Sequence, residues 1–190
     1  MDVYHVICDE SASNIIKKPS SDDDAFADLT ADPIGEFTPP PYRLSSVVKP
    51  LTNFFYLNDT ALIYDEAAAR VMEDFEEYAG ELFSIEVDSV GTLTLVNVLE
   101  ECNALNGELS KVVADDWQAT IAINSLHFHK SRISSLSSLF KLHQLSYRPI
   151  LTVSNASNEK YIQEHDFYKA YHKAGLTGLR FDLLWSDTQG

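Results

Sequence analysis

The stretch AGLTGLRFDLLW, residues 174–185, joins a helix to a strand and carries the clearest local pattern in the chain. Glycine accepts the left-handed backbone that ends a helix, so the preceding helix is predicted to stop at Gly175. From Leu179 the residues are mostly apolar and nearly alternating, which is typical of a strand with at least one buried face. Helix, glycine cap and strand are therefore expected to pack as one unit, and nothing in that unit is chemically reactive.

Length and composition favour a globular protein. The chain has 190 residues, of which 45% are hydrophobic, and it can bury a sizeable core as one domain. It has no run of about 18 apolar residues and no leader-like start, which favours a cytoplasmic location. The two cysteines, Cys8 and Cys102, exclude a disulfide framework and are expected to be separate thiols.

Charge is unevenly distributed along the chain. The net charge is −15; residues 1–116 hold 24 acidic and 6 basic side chains, whereas residues 117–190 hold 5 acidic and 8 basic ones. A field of this sign repels nucleic acid and anionic lipid and attracts basic partners. We therefore expect binding to neither nucleic acid nor membrane, with solubility as the alternative explanation of the acidity.

The first fifty residues are predicted to form a strand and an irregular acidic segment, followed by an α+β domain over residues 51–190. VYHVI, residues 3–7, alternates and suits an edge strand. Residues 11–42 contain a run of aspartates and several prolines, which predicts a long irregular segment. Residues 51–64 suit two short extended pieces separated by a turn.

The stretch DEAAARVMEDFEEYAG, residues 65–80, predicts an amphipathic helix that Asp65 caps at its start and Gly80 closes at its end. At 100° per residue one face is apolar and is expected to pack on the core. The residues of this face are Ala68, Val71, Met72, Phe75, Tyr78 and Ala79.

The opposite face of this helix is acidic, because Glu66, Glu73 and Glu77 point away from the core. Glu73 and Glu77 are like charges four residues apart, a spacing that destabilises a helix slightly, and Arg70 offsets this only in part. Helix stability does not require the pattern. It indicates either a solvated face or a docking face for a basic partner.

The middle of the chain is rich in predicted strands. TLTLVNVL, residues 92–99, suits a buried strand that Asn97 interrupts, and the pair Asn106-Gly107 predicts a turn. Residues 117–130 alternate again, which places His127 and His129 on the same side of a strand. That spacing is compatible with a metal pair, but no third ligand is apparent, and a polar strand face is the alternative.

The last third adds a strand, PILTVS over residues 149–154, and a helix over residues 162–175. The predicted fold class is therefore α+β, with one mixed, mostly antiparallel sheet, two main helices and the long irregular N-terminal segment. The sequence has no glycine-rich phosphate loop, no Cys-x-x-Cys and no Gly-x-Ser-x-Gly, and we expect no cofactor.

Five pieces follow one another between residues 51 and 185 in an order that resembles a known family. They are ALIYDEAAARVMEDF (61–75), GELFSI (80–85), LVNVLEECNALNGELS (95–110), SLFKL (138–142) and AGLTGLRFDLLW (174–185). This order is similar to that of the immunity protein eleven family. Its members are small proteins encoded beside toxins of bacterial polymorphic-toxin and secretion systems.

The chain departs from the family pattern at two places. The family's Asp-Ala-Leu-Asp is Asn103-Ala104-Leu105-Asn106 here, which argues against a metal or acid–base site because an amide is a poor cation ligand. A turn-forming role survives, since Asn and Asp both bond their own backbone. Lys141 stands where arginine is expected, so a bidentate contact there is in doubt.

The resemblance implies a non-catalytic protein that binds and neutralises a cognate toxin encoded by the adjacent gene. A cytoplasmic location favours a cytosol-acting toxin, with a nuclease as the first candidate because a nuclease presents a basic surface to phosphates. The predicted contact consists of Glu66, Glu73, Asp74 and Glu77, with Asp22, Asp23 and Asp24 as a second contribution.

Two alternatives remain open at the level of sequence. One is a metal-dependent enzyme whose site combines His127, His129 and His165 with a distant carboxylate. The other is a scaffold or adaptor that binds a basic partner unrelated to toxicity. The oligomeric state also stays open.

Overall fold

The computed structural model describes residues 1–17, 32–35, 38–46, 50–113, 122–133, 138–145, 148–155 and 166–188. Over these residues the fold is α+β, with three helices, a five-stranded sheet, a two-stranded hairpin and a closed six-stranded barrel. The prediction of one mixed sheet is therefore wrong, although most strand pairs are antiparallel as expected. Across the described ranges, no helix combines the length and the apolar character needed to span a membrane.

The elements are named in chain order. The helices are α1 (Glu66–Ala79), α2 (Lys130–Ile133) and α3 (Phe167–Ala174). The strands are β1 (Asp2–Cys8), β2 (Ser13–Lys17), β3 (Tyr42–Leu44), β4 (Phe54–Tyr56), β5 (Leu62–Tyr64), β6 (Gly80–Asp88), β7 (Gly91–Val98), β8 (Glu101–Cys102), β9 (Lys111–Val113), β10 (Ala122–Ser125), β11 (Leu139–Leu142), β12 (Ile150–Ser154) and β13 (Leu179–Ser186).

The five-stranded sheet has the order β13-β1-β12-β11-β8. β1 pairs antiparallel with β12 on one side and with β13 on the other, so the prediction that it is an edge strand is wrong. Both faces of β1 are buried: Val3 and Val6 point to opposite sides of the sheet, and each lies in a different core.

The barrel has the order β2-β3-β6-β7-β5-β4, and β4 closes it against β2. The pairs β2–β4 and β3–β6 are parallel, and the others are antiparallel. The prediction that residues 11–42 are irregular is wrong at residues 13–17, because these residues form strand β2 of the barrel. The two extended pieces predicted within residues 51–64 are confirmed as β4 and β5, with a turn in which the Asn58 side chain accepts from the Thr60 amide at 3.1 Å.

Side chains alternate between the inside and the outside of the barrel. In β5, Ile63 packs inside, whereas Leu62 and Tyr64 point outward. The outward side chains of β4, β5 and β7 meet α1, α3 and one face of the five-stranded sheet in a shared core. The described members of the inner barrel core are Ile15, Tyr42, Phe55, Ala61, Ile63, Ile85, Val87, Leu93 and Leu95.

Helix α1 begins as predicted but ends differently. The carboxylate of Asp65 accepts from the Ala68 amide at 2.9 Å and caps the helix. Gly80 does not close it in a left-handed conformation, because the chain continues directly into β6. Gly80 instead lies against β7: a Cβ at this position would be 1.8 Å from the carbonyl oxygen of Asn97.

The predicted joint between helix and strand is confirmed at residues 174–185. Asp166 caps the start of α3, and Gly175 ends it with φ at 66°. The residues after Gly175 also connect the barrel to the five-stranded sheet. The Phe54 amide of β4 donates to the Thr177 carbonyl at 3.0 Å, and the Asp9 amide donates to the Gly178 carbonyl at 2.9 Å. This stretch therefore fixes the barrel against the edge of the five-stranded sheet.

Candidate functional site

The exposed face of α1 is the first candidate, because periodicity predicted it. Met72 and Phe75 are buried in the shared core, whereas Glu66 and Glu73 are exposed. The two glutamates lie seven residues apart on the same side of the helix, about 10 Å along its axis. α1 therefore has the two opposed faces that its sequence predicts.

Charge on this face is only partly compensated within the helix. Arg70 forms an ion pair with Glu66 one turn earlier, and both side chains are exposed. Exposed pairs of this kind contribute little to stability, since water already solvates both groups. The pair removes one negative charge from the N-terminal half of the face and leaves its C-terminal half acidic.

The last turn of α1 is acidic as well. It contains no basic residue, and Glu76 and Glu77 lie in it. The C-terminal end of a helix carries partial negative charge, so acidic side chains there oppose the helix dipole. The acidic residues of the last turn are therefore unfavourable for the helix, whereas Glu66 in the first turn is favourable.

Some predicted contact residues fall outside the described part of the chain. Asp74 and Glu77 belong to α1 by their backbone, but their side chains are not described. Asp22, Asp23 and Asp24 lie outside the described residues altogether.

A second polar site surrounds Glu101 at the edge of the five-stranded sheet. One carboxylate oxygen of Glu101 lies 3.1 Å from Nε of Arg148, and the other lies 3.2 Å from Nδ1 of His143. In the parallel pair β8–β11, Lys141 is the register partner of Glu101. Two basic groups thus contact one carboxylate, and Lys141 lies beside it on the paired strand. The sequence did not predict this because these residues are about forty positions apart.

Lys141 is the unusual member of this cluster, because it is fully buried. Burial is the main cause that lowers the pKa of Lys141 to about 8, and the neighbouring Arg148 lowers it further, while Glu101 acts in the opposite direction. The charged form of Lys141 is therefore less favourable in the folded protein than in the unfolded chain.

Replacing Lys141 should stabilise the protein. Lys141→Met keeps the alkyl packing and removes the buried charge, so at pH 7 the free energy of unfolding should rise by about 1–3 kcal/mol. Below pH 8 the charge of Lys141 lowers the free energy of unfolding by its full amount. This effect disappears as the pH rises towards 10.5, the ordinary pKa of lysine. The gain should therefore be large at pH 7 and small at pH 10 in denaturant unfolding.

The exposed Lys173 supplies the control for this prediction. Lys173→Met should change the free energy of unfolding by less than about 0.5 kcal/mol at either pH. A Lys141→Met variant that is less stable than the parent at pH 7, or a gain that does not depend on pH, would contradict the role assigned to the buried charge.

Residues 32–35 are held against strands β6 and β7 of the barrel, and Ile34 packs against the inner barrel core. The carboxylate of Glu81 accepts from the amides of Ile34 at 2.8 Å and Gly35 at 3.0 Å. The buried Asn97 side chain donates to Glu81 at 3.2 Å and to the carbonyl of Asp32 at 3.1 Å. Asn97, the polar residue in an otherwise apolar stretch of β7, thus binds both the segment 32–35 and the carboxylate that holds it.

The same hydrogen bonds hold Glu81 in its ionised form. Burial alone would raise the pKa of Glu81, but the amides of Ile34 and Gly35 and the Asn97 side chain together bring it below its ordinary value. The attachment of residues 32–35 to Glu81 is thus strongest where Glu81 is deprotonated, and it weakens as the pH falls through the lowered pKa of Glu81.

The histidines do not lie where they were predicted. β10 ends at Ser125, so His127 and His129 follow the strand instead of sharing one of its faces. The amide of His129 donates to the Ala104 carbonyl at 2.8 Å, and its carbonyl accepts from Arg132 at the start of α2. Across the described ranges, no group of three or more metal-ligating side chains occurs; His165 is outside them.

The cysteines are separate thiols, as predicted. Burial raises the pKa of Cys8 to about 12 and also raises that of Cys102. Both thiols are therefore protonated at neutral pH and are poor nucleophiles.

Comparison with known proteins places the chain in no family. No family model matches it, and no curated protein gives a significant match.

Proposed function

We propose that this chain is an immunity protein that binds and neutralises a cognate bacterial toxin in the cytoplasm. It acts by binding through an acidic surface and carries out no chemistry of its own. The order of the five sequence pieces between residues 51 and 185 supports this proposal. The net charge of −15 supports it independently, because it favours a basic partner.

The observation that carries the proposal is the charge placement on α1. Glu66 and Glu73 are exposed, and the last turn holds further acidic residues at the end where the helix dipole disfavours them. Acidic residues at the end of the helix that disfavours them are explained if they serve a partner instead. The proposed contact is the α1 face of Glu66, Glu73, Asp74 and Glu77, assisted by Asp22, Asp23 and Asp24.

A nuclease is the favoured toxin class. A nuclease must present a basic surface to the phosphates of its substrate, and an acidic inhibitor can cover that surface. Long-range attraction between the two surfaces accelerates their association, and added salt screens it.

The first experiment is co-expression of this protein, tagged, with the product of the adjacent gene. Co-purification at about 0.1 M salt, weaker recovery at about 1 M salt and rescue of growth are the expected results. Binding without rescue would favour an adaptor, and the absence of both would overturn the proposal.

Charge reversal on α1 tests the surface itself. Glu73→Lys should slow association with the toxin about 3- to 10-fold at low salt and change the dissociation rate less, because an exposed charge acts mainly through long-range attraction during encounter. Stopped-flow or surface plasmon resonance measures both rates. The matched control is Glu108→Lys, the same change at an exposed turn residue.

Two results decide this assignment. At about 1 M salt the difference between Glu73→Lys and the parent protein should vanish, since screening removes the attraction. If Glu73→Lys and Glu108→Lys slow association equally, only the total charge matters, and the α1 face is not the contact.

A further inference from the structure

The turn at Asn106 and Gly107 takes no part in the proposed toxin contact, but it contains the one Asn-Gly pair of the sequence. An asparagine side chain that precedes glycine is open to attack by the amide nitrogen of that glycine, because glycine has no Cβ to shield the nitrogen. The attack joins the nitrogen to Cγ of the asparagine in a five-membered ring. How readily the ring forms depends on how the fold holds the nucleophile, the carbonyl and the leaving group.

The nucleophile is the amide nitrogen of Gly107. Gly107 is exposed, and its amide donates to no residue among those that the structure describes. A Cβ added at Gly107 would meet no atom of the described parts of the chain within 4 Å, apart from the adjoining residues. The nitrogen can therefore lose its proton to water or hydroxide and attack without first breaking a hydrogen bond.

The side-chain carbonyl of Asn106 is prepared for this attack. Its Oδ1 accepts from the amide of Glu108 at 3.1 Å and from the amide of Leu109 at 3.3 Å. When the Gly107 nitrogen adds to Cγ, Oδ1 takes up negative charge, and hydrogen bonds to a charged acceptor are stronger than those to a neutral one. The two amides therefore stabilise the transition state more than the starting amide, as the donors of an oxyanion hole do.

The leaving group, Nδ2 of Asn106, is not held by the fold. Asn106 is partly exposed, and its Nδ2 makes no hydrogen bond to the described residues. The backbone of Asn106, by contrast, is held on both sides: its amide donates to the His127 carbonyl at 2.8 Å, and its carbonyl accepts from the Ser110 amide at 2.9 Å. The turn thus keeps the reacting carbonyl in place and lets ammonia leave into water.

We propose that Asn106 is a site of self-modification, which converts to aspartate and isoaspartate through a cyclic imide with Gly107. The Gly107 nitrogen gives up its proton to water and forms a bond to Cγ of Asn106. The bond between Cγ and Nδ2 breaks, and Nδ2 takes up a proton and leaves as ammonia. Water then adds to one of the two carbonyl carbons of the ring and opens it, so water is the only co-reactant.

The products change both the charge and the course of the backbone in this turn. Each product adds one carboxylate to a chain that is already acidic. In isoaspartate the main chain runs through Cγ, so the carbonyl that accepts from the Ser110 amide becomes part of a side-chain carboxylate. The modified bond lies one residue from the bridge between Leu105 and Phe128. The reaction therefore alters the turn that holds this bridge.

Peptide mapping of the aged, folded protein by tandem mass spectrometry tests the proposal. The peptide with Asn106 should gain about 1 Da as oxygen replaces NH, and its aspartate and isoaspartate forms should separate in chromatography. The gain should be faster at mildly alkaline than at neutral pH, because hydroxide removes the Gly107 proton. Asn103, which is exposed and precedes Ala104, is the internal control and should stay intact. An Asn106 that stays as intact as Asn103 would overturn the proposal.

The variant Gly107→Ala identifies the nucleophile. Its Cβ fits without a clash, and the backbone of Gly107 is not left-handed, so the fold is retained. The same Cβ shields the amide nitrogen and should slow the loss of Asn106 about 10-fold or more. An unchanged rate in Gly107→Ala would mean that water attacks the side-chain amide directly, and the ring mechanism would be wrong.

A synthetic peptide of residues 101–111 tests the part assigned to the fold. In the free peptide the amides of Glu108 and Leu109 are not held against Oδ1 of Asn106. The folded protein should therefore lose Asn106 at least as fast as the peptide does under the same conditions. A slower reaction in the folded protein would show that the turn restrains the side chain and does not assist the attack.

Discussion

Gly80→Ala is expected to lower the free energy of unfolding by about 4 kcal/mol or more, although it adds only one methyl group. The added Cβ would lie 1.8 Å from the carbonyl oxygen of Asn97 and 3.0 Å from the amide nitrogen of Leu99. Both atoms belong to the backbone, which cannot rotate away as a side chain can. The substitution must therefore separate β6 from β7 where the register pairs Gly80 with Val98.

Denaturant unfolding followed by circular dichroism measures this effect. Gly107→Ala is the matched control, because a Cβ at Gly107 has no neighbour within 4 Å. If Gly80→Ala is too unstable to purify, the soluble fraction of the two variants in the same expression host gives the comparison. A Gly80→Ala protein within about 1 kcal/mol of the parent would show that the two strands do not approach as closely as described.

Gly178→Ala is expected to cost about 3–4 kcal/mol for two separate reasons. The backbone at Gly178 has φ at +105°, a conformation that disfavours any Cβ, and the added Cβ would lie 2.5 Å from the carbonyl oxygen of Phe54. Because β4 belongs to the barrel, the substitution presses the barrel away from the five-stranded sheet.

A substitution at Gly35 separates the conformational cost of Gly178→Ala from the cost of its contact with Phe54. It also has a positive φ, +71°, but a Cβ there would meet nothing within 4 Å. Gly35→Ala should therefore show the conformational cost alone, about 1–2 kcal/mol, in the same unfolding measurement. Equal losses at both glycines would mean that the contact between Gly178 and Phe54 is unimportant.

Sequence reasoning succeeded where the cause of a feature lies within a few residues. The Asp65 cap, the left-handed Gly175 and the turn at Asn106 each depend on neighbours that the sequence shows directly. The exposed position of Glu66 and Glu73 also follows from helical spacing alone.

It failed where the cause lies far along the chain. Gly80 follows a helix, so it resembles a cap, but the reason for a glycine is the backbone of β7. The parallel pairs that close the barrel join β2 to β4 and β3 to β6, and periodicity carries no information about such partners.

The candidate site divides in the same way. The acidic face of α1 is a local property and was predicted. The contacts of Arg148 and His143 with Glu101, which is the register partner of Lys141, depend on distant parts of the chain and were not predicted. Lys141 occupies one of four consecutive buried positions in β11. A lysine in an otherwise apolar stretch, LFKL, is the one signal that could have indicated a buried charge.

The central place of β1 has a consequence for how the protein is made. A ribosome synthesises β1 well before its two partners, β12 and β13. Until those two strands are made, Val3 and Val6 have no sheet to enter, whereas the hairpin of β6 and β7 can form as soon as it emerges. The five-stranded sheet is completed only after β13 has left the ribosome.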